Sequence, residues 1–186
     1  MSTLTIILVV IAVIAVAFGV VMFIQKERTK RLRGQFGPEY DRLVHDRGNP
    51  RKAEEELIKR QKRLEKLHIR ELNRAEIDRF TDAWRSVQAQ FVDNPRQAVA
   101  EADRLVRDVM TARGYPMSDF EQRAADVSVD HPRVVENYRA AHNIAARDAA
   151  GKANTEDLRQ AMVHYRALFE DLLSTTTVQQ AEEVKR

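Results

Sequence analysis

From Leu4 to Ile24 the chain runs twenty-one residues without a charge, and the pattern changes abruptly at Gln25, Lys26, Glu27 and Arg28. At about 1.5 Å per residue, a helix of that length matches a hydrocarbon core of roughly 30 Å. In lipid every peptide group needs a partner inside the segment, and a helix supplies one despite the modest helix preference of Val and Ile. A cleaved signal peptide fits less well. Met1 to Thr3 carry no basic side chain, and the run ends in Met22, Phe23 and Ile24 rather than in small residues. The pattern predicts an uncleaved transmembrane anchor over residues 1–25.

Beyond the anchor the apolar positions recur at helical spacing. Phe36, Tyr40, Leu43 and Val44 give a short helix one greasy side, with Gly34 to Gly37 breaking it from the anchor and Pro38 in its first turn. Asn49 and Pro50 open a charge-dense helix to about Leu67. Its stripe is narrow, Ala53, Leu57, Leu64 and Leu67 with Ile58 beside it, and both a solvated arm and a self-associating helix fit that pattern. Asn73 and Glu76 have capping-box spacing before Ile77, Phe80, Trp84, Val87 and Phe91. Asn94 and Pro95 start the next helix, which carries Val99, Ala102, Leu105, Val106, Val109 and Met110 inward and stops at Gly114. Ser118 caps a short helix to about Asp126, and Asp130, His131 and Pro132 open another holding Val134, Tyr138, Ala141, His142 and Ala145. The last stripe is Leu158, Ala161, Met162, Tyr165, Leu168, Phe169 and Leu172. The short links near residues 91–95 and 150–154 make two helical hairpins.

The fold class is therefore all-α: an amino-terminal transmembrane helix plus a cytosolic bundle of about six helices. Residues 26–35 form a basic collar, 36–72 a short helix and charged arm, 73–173 the bundle core and 174–186 a polar tail that should fray.

Charge refines this picture. Residues 1–35 hold five cations, Lys26, Arg28, Lys30, Arg31 and Arg33, against Glu27, a net of +4; the whole chain is +3, which leaves −1 for the rest. The basic excess thus lies beside the anchor, without the electrostatic footprint of a nucleic-acid binder. Flanking cations on one side only place the amino terminus outside and the remainder in the cytoplasm. The same five side chains can meet anionic lipid headgroups. With no cysteine, disulfides, zinc–thiolate sites and thiol nucleophiles are excluded.

Candidate chemistry is sparse. The densest mix of turn, acidic and histidine residues runs from Gly114 to His142, where Asp126, Asp130, His131, Tyr138 and His142 are the pocket candidates. His131 and His142 are about 16 Å apart along one helix and cannot share a metal without ligands from elsewhere, such as His164. No HExxH pattern, glycine-flanked serine or phosphate-cradling loop is present. The expectation is no catalytic residue, no metal and no cofactor. The partners expected are the bilayer and another membrane or membrane-associated protein, with self-association left open. A ligand or enzyme pocket at 114–142 is the competing reading.

The runs Phe36-Gly37-Pro38-Glu39-Tyr40-Asp41, Asp119-Phe120-Glu121-Gln122-Arg123-Ala124-Ala125-Asp126, Asp130-His131-Pro132 and His164-Tyr165-Arg166 resemble those of an uncharacterised group of bacterial proteins with one amino-terminal membrane helix. The resemblance implies a bacterial inner-membrane address and brings no activity or site residue.

Overall fold

In the computed structural model the backbone is described from residue 3 to 183 and the side chains from 11 to 174. The described residues are all-α: α1 (Thr3–Phe36), α2 (Pro38–Arg47), α3 (Pro50–Leu64), α4 (Arg74–Gln90), α5 (Pro95–Arg113), α6 (Phe120–Asp130), α7 (Val135–Ala149) and α8 (Thr155–Glu183), with no strand among them. Seven helices follow α1 where the stripes suggested about six. The chain divides into two compact units, residues 1–55 and 56–186, and the division falls inside α3.

In the first unit α1 is continuous for 34 residues, about 51 Å. The break expected over Gly34 to Gly37 falls at Gly37 rather than Gly34, and the basic collar is the last part of this helix. A glycine inside a helix costs only about 1 kcal/mol, and Leu32 (1% exposed) and Phe36 (0%) bury fully on either side of it. The chain turns one residue past Phe36, at Gly37, where φ is +49°. Pro38 then sits at the start of α2, and Tyr40 and Leu43 are buried with Leu32, Phe36 and Ala53. A polar knot reinforces this small core. Glu54 accepts from Thr29 Oγ1 at 2.6 Å and from the Tyr40 hydroxyl at 3.2 Å, and Arg28 lies 3.6 Å away. Burial, and then the Glu54 charge, push the Tyr40 phenol up.

Among the described residues no helix is long and apolar enough to cross a membrane. The run Leu4–Ile24 enters the described side chains only at Ile11. From there to Ile24 its large residues are all exposed, between 50% at Val21 and 66% at Val16 and Phe23.

The second unit is built on two hairpins. Helix α4 packs on α5, α7 packs on α8, and α5 lies against α8. The capping box is formed: Asn73 Oδ1 accepts from the Glu76 amide at 2.9 Å, and Glu76 accepts from the Asn73 amide at 3.0 Å. Asn94 caps α5 with Pro95 in its first turn, and Gly114 ends it at φ +95°. A Cβ at Gly114 would stand 2.5 Å from the His68 carbonyl oxygen, so space and dihedral both demand glycine. Trp84 of α4 stacks on Phe169 of α8 with ring centroids 4.8 Å apart, over a core that includes Val106, Val109, Tyr138, Tyr165 and Leu168.

The middle of the chain differs from the sequence reading. Asp119, not Ser118, caps α6, accepting from the Gln122 amide at 2.9 Å. Helix α6 continues to Asp130, and α7 starts only at Val135, with no side-chain cap from Asp130 or His131. Both side chains are engaged elsewhere, and the His131 carbonyl instead accepts from the Val134 and Val135 amides across a tight turn. At the carboxy end, the tail expected to lose structure after Leu173 is helical as far as Glu183, and its side chains from residue 175 lie outside the described residues.

Candidate functional site

Two features of the second unit could carry function: a buried polar cluster below the α5–α6 link, and an open groove between α4 and α8.

The cluster centres on His131, 3% exposed at the end of α6. Its Nδ1 is 2.5 Å from Asp171 Oδ2 on α8, and its Nε2 is 3.2 Å from Nη1 of Arg113 at the end of α5. A guanidinium can only donate. Nε2 therefore accepts, and Nδ1 carries the proton towards Asp171. Arg113 Nη1 also donates to the Leu172 carbonyl at 2.8 Å, tying the α5 terminus to α8. Beside it the Tyr115 hydroxyl donates to Asp130 at 2.8 Å, and burial with the Asp130 charge raises that phenol.

The other candidates are similarly engaged. Asp126 is fully buried, accepting from Arg63 Nε at 3.1 Å and Gln122 Nε2 at 2.8 Å. Tyr138, also fully buried, accepts from Arg123 Nε at 3.2 Å, and burial raises its phenol. His142 stacks on Phe120 with centroids 3.6 Å apart, and burial lowers its imidazole. His164 lies on α8 with Nδ1 2.8 Å from Asn137, on the far side of that hairpin's contact. Asp130 and His131 thus lie side by side, Tyr138 and His142 share the Phe120 ring at 4.9 and 3.6 Å, and Asp126 belongs to a separate set of partners. Among the described residues no group of three or more histidine and acidic side chains could hold a metal ion.

Arg60 and Arg113 were missed by the sequence reading although their positions carried a signal. Arg60 stands in the gap of the stripe Ala53, Leu57, Leu64, and is 7% exposed with Nη1 donating to Ser128 at 3.2 Å. Arg113 follows Val106 by seven residues on the inward face of α5. A cation in register with a core stripe marks a buried polar contact, because the stripe leaves it nowhere else to point.

The groove is lined by Ile77, Thr81, Trp84, Phe169 and Leu173, with Arg85, Gln88, Arg166, Glu170 and Ser174 around it, and encloses about 400 Å³. The rim is partly paired, Arg166 Nε donating to Glu170 at 2.7 Å and Arg85 Nη1 to Asp82 at 2.9 Å. The indole Nε1 of Trp84 is buried without a hydrogen-bond partner. No sequence pattern announced this site, because Ile77, Trp84 and Phe169 read as core positions of two stripes about ninety residues apart.

The chain matches no family model, no curated protein and no solved structure. The resemblance of the Phe36–Asp41 and Asp119–Asp126 runs accordingly assigns no family.

Proposed function

We propose that this chain is a membrane-tethered, non-enzymatic interaction module. In this reading α1 is a single-pass inner-membrane anchor with its amino terminus outside, and everything after Gln25 is cytoplasmic. The observation that carries the reading is the uncharged run Leu4–Ile24, which is apolar on every side, ends at a one-sided basic flank, and has no protein cover over Ile11–Ile24. A helix that is hydrophobic all round needs a hydrophobic medium. Tethering confines the rest of the chain to a surface and raises its effective concentration towards other membrane proteins.

The surface offered to a partner protein is the α4–α8 groove. Its aromatic floor and charged rim suit one or two bulky apolar side chains presented by a polar-flanked helix. The unpaired Trp84 indole beside the groove costs about 1–3 kcal/mol. At 114–142 most of the candidate side chains bond to neighbouring groups, while Ser118 Oγ and Asp126 Oδ2 are buried without a hydrogen-bond partner; the groove is preferred because it adds an open apolar cavity.

Two measurements test the proposal. Alkaline carbonate extraction of membranes should leave the full chain in the pellet, with a carboxy-terminal tag cleaved only after the cytoplasmic face is opened. Recovery in the supernatant would end the reading. Photo-crosslinkers at Gln88 and Arg166 should then capture one discrete partner, and crosslinkers at Arg147 on the opposite hairpin should not.

A further inference from the structure

The collar holds five cations, and the structure divides them. Arg33 is bound into the first unit: its Nη2 lies 2.6 Å from Asp41, and its guanidinium sits 5.6 Å from the Tyr40 ring centroid. Arg28 faces Glu54 at 3.6 Å, beside the bonds from Thr29 and Tyr40. Lys26, Lys30 and Arg31 are exposed, and among the described residues they form no ion pair or hydrogen bond. Helix geometry explains the split. Thr29, Leu32 and Phe36, at spacings of three and four, face the core of the unit. Lys26 and Lys30 are four apart on a neighbouring face, and Arg31 is one residue further round. By helix rise these three begin about 3, 9 and 10.5 Å beyond Ile24, and long side chains reach back along a helix towards an interface.

We infer that Lys26, Lys30 and Arg31 form an anionic-lipid headgroup site, while Arg28 and Arg33 hold the folded cap to α1. The inference rests on the anchor reading, which sets the depth of these residues. Depth and charge together name the occupant: a layer of phosphate headgroups begins where the apolar run ends, and three unneutralised cations sit in it on a rigid helix. Glu27 is the one opposing charge, and it stands four residues before Arg31.

The test uses the full chain reconstituted in phosphatidylcholine vesicles with trace spin-labelled phosphatidylglycerol or phosphatidylcholine. Electron paramagnetic resonance reports how strongly the protein-associated lipid favours the anionic headgroup. Each surface cation contributes a factor of up to about five at low salt. The unaltered chain should prefer phosphatidylglycerol several-fold, and this preference should fall as salt shortens the screening length. The triple variant Lys26→Gln, Lys30→Gln, Arg31→Gln should lose it, the double variant Arg28→Gln, Arg33→Gln should retain most of it, and Glu27→Gln should increase it. Equal loss in the double and triple variants would reduce the effect to bulk charge and overturn the inference, as would a triple variant that keeps its preference. Absence of any protein-associated lipid signal, of either headgroup, would overturn the anchor reading itself. Circular dichroism establishes that each variant retains its helix content.

Discussion

Phe18 and Phe36 are the same residue on the same helix, five turns apart, yet one is 65% exposed and the other 0%. Among the described residues nothing covers the apolar side chains around Phe18, whereas Phe36 and Leu32 are enclosed by a unit only a few dozen residues long. Sequence hydrophobicity ranks these two halves the wrong way round as predictors of protein burial. The richer half is left bare, and the half crowded with charge supplies the core. Burial here depends on whether a second element arrives to cover the face, which α2 and the start of α3 do for one half only.

That comparison can be broken directly. Phe36→Ala should destabilise the detergent-solubilised full chain by about 3 kcal/mol or more, because it removes a fully buried ring and leaves a cavity. Phe18→Ala should change the unfolding free energy by less than about 0.5 kcal/mol. Equal effects would show that the exposed half is packed in solution after all. A buried polar contact should behave like Phe36. Arg113→Met strands His131 Nε2 and removes the second donor to the Leu172 carbonyl inside the second unit, and should cost about 2 kcal/mol in denaturant unfolding.

Glycines sharpen the same distinction at smaller scale. Gly114→Ala meets the His68 carbonyl at 2.5 Å with an adverse dihedral, and a loss of roughly 2 kcal/mol is expected. Gly34→Ala has open space and helical geometry, and should gain up to about 1 kcal/mol. The smallest effect concerns a charge. Arg70, and then the Asn73 amide, hold the Glu76 carboxyl down to about 2. A carboxyl depressed in the folded state stabilises above its unfolded value near 4.5 and loses that contribution as pH falls towards 2. A carboxyl-carbon NMR titration should place the Glu76 midpoint near 2, and Arg70→Gln should move it up.

Local chemistry was legible in the sequence. The Asn73–Glu76 box, the Asn94–Pro95 start, the Gly114 stop and both hairpins involve residues within a few positions of each other, where spacing alone sets geometry. Long-range partners were not. Arg63 and Asp126 are 63 residues apart, and His131 and Asp171 are 40 apart; either could have paired with many acids or bases in so charged a chain. The start of α7 was misread for this reason. Asp130 and His131 have the composition of a helix cap, but Tyr115, Asp171 and Arg113 take their side chains first. Within Gly34 to Gly37 the break falls on Gly37, since at Gly34 a local preference of about 1 kcal/mol yields to the burial of Leu32 and Phe36.

A helix with no joint between Phe18 and Phe36 behaves as a drive shaft. Any roll or tilt imposed on the Ile11–Ile24 half arrives at Thr29 and Leu32 within the same rigid piece, and there it must disturb the grip on Glu54 and Tyr40. Under the proposed anchor reading, the exposed half would then be a handle on the folded cap as well as its tether.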